Sequence, residues 1–240
     1  MTPVNHQPVD VLAIGAHPDD IELCCAGMLL RLQAQGYKVG IVDMTRGEKG
    51  TRGSAEQRER EAAAALTILG FEFRENLNLG DQHLQDTHER RVKVVETIRR
   101  HKPKLVMTHF PLDRHPDHEG GGTLVKQAMF LSGAANFEAE GEIHNPKRLI
   151  YWISRWTLDP TFLVDISEFW EKKLEAARCF GSQFHNPEST EPPTYISSEQ
   201  FWDDFIARHR FFGSQIGTKY AEGYIVREKL KVDDPVAFFS

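Results

Sequence analysis

Cysteine is scarce in this chain, with three in 240 residues, two of them adjacent as Cys24 and Cys25. A sparse, odd set makes no disulfide framework. A reducing cytoplasm is therefore the expected compartment, and the thiols are expected to be small core residues. No apolar run is long enough to span a bilayer, so no membrane partner is expected. The opening MTPVNHQPVD lacks the basic-then-apolar order of a secretory signal. A cationic surplus is missing too: 29 Lys and Arg face 35 Asp and Glu, a net charge of −6. That balance argues against a nucleic-acid partner held by bulk charge. No internal repeat, low-complexity tract or linker divides the chain. With 40% hydrophobic residues there is enough for one sizeable core, and one domain over residues 1–240 is expected.

Apolar runs alternate with amphipathic ones. VDVLAIGAH, YKVGIVDMT and KLVMTHF read as buried strands, and FEFRENLNLGD holds a shorter one. The stretches DDIELCCAGMLLRLQAQG, AEQREREAAAALTILG and ERRVKVVETIRRHKP read as helices closed by Gly or Pro. PLDRHPDHEGGG reads as a loop before the helical TLVKQAMFLSGAA. Further on, RLIYWIS and FLVDIS look like strands, EFWEKKLEAARCFGSQF and SEQFWDDFIARHRFFGSQ like helices, and HNPESTEPPTY like a long loop. The expected fold class is α/β, a mostly parallel sheet with helices on both faces. In such sheets ligands gather beyond the carboxyl ends of the strands. The polar stretches HPDD, RGEKGTRG and PLDRHPDH follow strands and belong on that edge. A dinucleotide site is disfavoured, because no G-x-G-x-x-G follows the first strand and HPDD puts negative charge where a pyrophosphate would sit.

Two adjacent aspartates repel unless a positive partner lies between them or one has chemical work. Here Asp19 and Asp20 follow His17 in one loop, and His115, Asp117 and His118 stand together in another. Imidazole nitrogens with a carboxylate oxygen form a typical zinc shell, and three protein ligands leave a fourth position open. Each cluster alone could be a helix cap with a surface histidine. Both together, at two strand ends of one sheet, favour a metal.

AHPDDIE with RHPDH resembles the PIG-L/LmbE-like zinc-dependent N-acetylglucosaminide deacetylases. The resemblance extends through TRGEKGTRGSAEQREREAAAALTILG, NLNLGD, SQF and YAEGY. Within that family the chain is most similar to the bacillithiol-pathway deacetylase, which removes acetate from N-acetylglucosaminyl malate. The resemblance implies a Rossmann-like fold, with His17, Asp20 and His118 as zinc ligands and Asp19 as general base. It makes His115 the histidine that assists at the carbonyl oxygen and Asp117 the carboxylate that orients it. Arg58 and Asp81 match sugar contacts. A homo-oligomer, possibly a hexamer, is also implied. Fe(II) and other divalent ions tolerate the same ligands.

Malate carries two carboxylates, and the arginines at 46, 52, 114 and 155 are candidate partners for them. Tyr195 is a candidate substrate contact from the late region, although an alignment through SQF and FFG puts Phe201 near that place. Glu22 is expected to bond a backbone N–H in the first helical turn. His83, His109 and His185 are expected at the surface or behind the site. Alternatives to the malate substrate are a chito-oligosaccharide, a glycolipid or a thiol-conjugate amide. A non-catalytic metal- or sugar-binding module is a further alternative, but binding alone does not require a base such as Asp19.

Overall fold

The structure is a computed structural model and describes residues 8–155 and 158–239. Strand β1 (Val11–Gly15) is buried at all five positions, as expected for a strand paired on both sides and covered on both faces. It runs parallel to β2 (Val39–Asp43), which carries β3 (Phe73–Asn76) on its outer side. On its other side β1 runs parallel to β4 (Leu105–His109), followed by β5 (Arg148–Trp152). Two antiparallel pairings finish the sheet with β6 (Phe162–Asp165) and β7 (Ala221–Ile225), in the order β3-β2-β1-β4-β5-β7-β6. β7 falls in the YAEGY stretch, whose strand character the alternation of the sequence does not announce.

Leu12 and Ile14 enter one core with Val95, Ile98 and Leu124, while Val11 and Ala13 enter another with Ile21 and Leu29. Helices therefore cover both faces, as the sequence implies. Among the described residues the helices are α1 (Asp20–Cys24), α2 (Ala26–Ala34), α3 (Ala55–Leu69), α4 (His88–His101), α5 (Pro116–Ser132), α6 (Trp170–Arg178), α7 (Glu199–Gln215) and the exposed α8 (Pro235–Phe239). The chain winds outward from β1 to β3 and then returns to β4 on the other side of β1. That reversal opens a crevice between the carboxyl ends of β1 and β4, where HPDD and RHPDH stand.

Three departures from the sequence reading shape this crevice. The first expected helix is broken at Cys25 into α1 and α2. The freed N–H groups of Gly27 and Met28 donate to the buried Glu222 carboxylate of β7 at 2.9 and 2.7 Å. Lys173 Nζ sits 2.6 Å from the same carboxylate and compensates its charge. The second departure is Glu22, which is fully buried and paired with Arg74 at 2.6 Å, a partner beyond the turn N–H that the sequence suggests. Arg74 also grips Asp43 of β2, and so ties α1 to the sheet. The third is the run Gly120–Gly122, which lies inside α5 and not in a loop. Glycine is costly there by propensity, but a Cβ on Gly120 would lie 1.8 Å from Leu84 O and one on Gly122 2.4 Å from His109 O. Only bare backbone lets α5 come down onto β4 and the 81–85 segment, which delivers the RHPDH side chains to the crevice.

Candidate active site

His17 leaves β1 in a tight loop whose backbone is held by its own aspartate: the His17 N–H donates to Asp20 Oδ2 at 2.8 Å. Between them Asp19 adopts φ 115°, a left-handed conformation that a non-glycine residue rarely takes. Arg58, buried on α3, anchors this turn by donating to Pro18 O at 2.5 Å and to Gly47 O at 3.3 Å. The same guanidinium lies 3.4 Å from Asp19 Oδ2. Strain of this kind is held only where the surroundings over-determine it, and such places cluster at functional sites.

The imidazoles are each oriented by carboxylates behind them. His17 Nε2 faces Asp81 at 3.2 Å and Asp117 at 3.3 Å, which leaves Nδ1 toward Asp20 at 3.5 Å. His118 Nδ1 faces Asp113 at 3.2 Å, which leaves Nε2 toward Asp20 Oδ1 at 3.2 Å. Carboxylate-backed imidazoles with their second nitrogens turned to one carboxylate are the usual arrangement around a divalent cation. Burial opposes charge on both rings, but Asp117, Asp20 and Asp81 hold His17 well above the ordinary imidazole pKa. Against the same burial penalty, Asp20 and Asp113 hold His118 up at about 9. This cluster calls for positive charge, and a metal ion can take the place of those protons. His17, Asp20 and His118 thus fit a metal. His17, His115 and His118 also place ligand atoms within 4.8 Å of one another, as do Asp20, His109 and His118.

Asp19 and His115 flank this point. Burial pushes the Asp19 carboxyl up to about 7, against the pull of Arg58 and with the repulsion of Asp20. His115 differs from the expectation. Its Nδ1 accepts the backbone N–H of Asp117 at 3.2 Å, so Nε2 carries the ring proton. The Asp117 carboxylate instead faces His17 and accepts from the backbone N–H groups of Gln82 and Leu84 at 2.7 and 3.0 Å. Burial and then the His17 and His118 rings push His115 down to about 4. It is a neutral donor, not the imidazolium that a facing carboxylate would sustain.

One cavity of about 800 Å³ contains His17, Asp19, Asp20, Arg58, Asp81, His115 and His118 in its wall. Asp81 is largely engaged, since its carboxylate also accepts from the Lys49 and Gln82 N–H groups at 2.8 Å each. Arg155 and Tyr195 meet farther out, the guanidinium 3.6 Å from the ring centroid, and the Tyr195 hydroxyl donates to Asp204 at 2.6 Å. Phe201 lines the cavity as well, edge-on to Tyr195, so the hydroxyl at this place comes from Tyr195. Arg52 is not a free cation: it holds the late loop through Ser182 O at 3.0 Å and Glu191 O and Pro192 O at 3.2 Å each. Arg46 pairs with Glu56 away from the cavity. His83 and His185 are exposed, whereas His109 is fully buried against Asp20. Arg208 lines the cavity from α7, and neither it nor Asp113 stands out in the sequence.

Residues 12–129 match the family model described as PIG-L: GlcNAc-PI de-N-acetylase. A diacetylchitobiose deacetylase from Thermococcus kodakarensis is 32% identical over 72% of this chain and 70% of its own length. The chain belongs to the PIG-L family. A probable N-acetyl-alpha-D-glucosaminyl L-malate deacetylase 2 from Bacillus anthracis is 28% identical, over 72% of this chain and 81% of its own. Among solved structures, a conserved protein of Thermus thermophilus superposes with a TM-score of 0.85 at 36% identity, covering 94% of this chain and 98% of its own. This PIG-L member is an N-deacetylase, an enzyme that hydrolyses N-acetyl amides. No helix among its described residues is long and apolar enough to cross a membrane.

Proposed function

We propose that this PIG-L member is a zinc-dependent hydrolase that removes the N-acetyl group of an N-acetylglucosamine derivative, with N-acetylglucosaminyl malate preferred. The observation that carries the hydrolytic part is the convergence of His17 and His118 on Asp20 with Asp19 beside them. His17, Asp20 and His118 would hold a divalent ion, which would supply Lewis-acid polarisation of the amide carbonyl and a water whose pKa is lowered to about 7. Asp19 takes the proton of the attacking water and returns it to the departing amine. The His115 Nε2–H donates to the carbonyl oxygen as it gains negative charge. Arg58 keeps the Asp19 turn in place, and its buried Nε–H has no acceptor among the described residues.

His115→Ala is expected to lower kcat by about 100- to 1000-fold, the usual effect of losing an oxyanion donor. KM and metal stoichiometry should hold. A loss of metal in that variant would make His115 a ligand instead.

The malate preference is supported by Arg114, Arg155 and Arg208, which line the cavity without a carboxylate within ion-pair distance among the described residues. Each charge-assisted hydrogen bond contributes about 1.5–3 kcal/mol, or at least about tenfold in kcat/KM. A disaccharide is the second reading, favoured by the likeness to the Thermococcus enzyme and by a cavity with room for two rings. Acetate release from N-acetylglucosaminyl malate, diacetylchitobiose and a methyl glycoside of N-acetylglucosamine decides between them. The malate conjugate should exceed the methyl glycoside at least about tenfold in kcat/KM. Equal values for those two would remove the malate reading and leave the deacetylase one.

A further inference from the structure

His109 ends β4 fully buried, with both ring nitrogens engaged. The Trp152 indole on β5 donates its Nε1–H to His109 Nδ1 at 3.1 Å. An indole nitrogen can only donate, so Nδ1 carries a lone pair and the ring proton belongs on Nε2. Nε2 lies 3.0 Å from Asp20 Oδ2. The Ala16 N–H is also directed at Nε2, at 3.1 Å, a contact that by itself would suit a lone pair there. A lone pair on Nε2 would face a carboxylate oxygen, however, whereas a proton there is shared with it. Asp20 Oδ2 then receives two donors, the His109 Nε2–H and the His17 N–H at 2.8 Å. The other oxygen, Oδ1, is left facing His118 Nε2 at 3.2 Å. The His109 ring also stacks on His118, with centroids 4.0 Å apart and planes 21° from parallel.

We infer that His109 is a positioning residue that holds Asp20 through Oδ2 and so leaves Oδ1 free for the metal, and that Trp152 sets the tautomer by which it does so. This rests on the metal-dependent reading above. Although His109 lies close enough to join a ligand set with Asp20 and His118, it has no lone pair to offer. Nδ1 is covered by the indole and Nε2 is protonated.

The test is zinc affinity, measured by competition with a chromophoric chelator on variants checked for folding by circular dichroism. His109→Leu removes the donor and is expected to weaken zinc binding about 10- to 100-fold, as losing a group behind a ligand does. His109→Gln keeps an amide N–H within reach of Asp20 and should recover most of that loss. Trp152→Phe keeps an aromatic ring but frees Nδ1, and should weaken binding by a smaller factor. At saturating cobalt, the visible spectrum of His109→Leu should match that of the unaltered protein, because the ligand set is the same. Wild-type affinity in His109→Leu overturns the inference. So does a cobalt spectrum that has lost a nitrogen ligand, since His109 would then be a ligand itself. Should His109→Leu not fold, wild-type zinc affinity in Trp152→Phe overturns the relay. Absence of zinc binding by the unaltered protein would instead overturn the metal reading beneath it.

Discussion

Asp19→Asn is expected to lower kcat by roughly 100- to 10,000-fold, the range for a lost general base, with metal content unchanged. Asparagine is the informative replacement because the residue sits at φ 115°. Asn tolerates left-handed backbone better than most residues, so the turn that carries Asp20 is preserved. The same substitution removes a buried carboxylate that Asp20 repels. Its folded pKa, about 7, lies above the unfolded value of 3.8. The folded chain therefore binds more protons than the unfolded chain between those values, and stability falls as pH rises through that window. In chelator-treated protein at pH 8, Asp19→Asn should melt above the unaltered chain, and the gap should close toward pH 4. Activity and melting temperature thus move in opposite directions. Unchanged turnover would assign water activation to another group. A lower melting point would mean that the carboxylate holds the turn rather than straining it.

The parts of this site that are legible in sequence are those written locally. HPDD and RHPDH stand out because polar, mutually repelling residues directly follow apolar strands, and the β-α alternation brings the two strand ends to one edge. What is illegible depends on pairing across strands. His109 ends an apolar run, and the sequence leaves open whether it lies at the surface or behind the site. Only the adjacency of β1, β4 and β5 places it between Asp20 and Trp152. The break at Cys25 is set by Glu222, nearly two hundred residues away in sequence, so no local propensity signals it. The three glycines of α5 read as loop because propensity says so. Contact with the Leu84 and His109 carbonyls overrides propensity there. Asp117 belongs to the expected site, but its side chain meets a different neighbour. Helix geometry turns its N–H, not its carboxylate, toward His115.

His118→Ala is expected to abolish turnover by emptying the metal site. His118 faces Asp20 at 3.2 Å and also lies within 4.8 Å of ligand atoms of His17 and His115, so its removal tests what the two candidate ligand sets share. With the ring gone, Asp20 Oδ1 loses the partner at 3.2 Å and Asp113 the one it orients. Two protein ligands then remain, short of the three that a catalytic zinc site uses. Elemental analysis after dialysis should fall from one metal per chain to near none, while circular dichroism stays native. The sheet should survive because the side chain borders the cavity and the α5 packing at Gly120 to Gly122 does not use it. The space left by the ring borders that cavity, so millimolar imidazole can enter and should restore part of the metal binding. Full metal occupancy in His118→Ala would remove His118 from the ligand set. Loss of metal from His118→Ala but retention in His115→Ala selects His17, Asp20 and His118 as the three ligands. Loss from both would move the metal between the three imidazoles and leave Asp20 behind it.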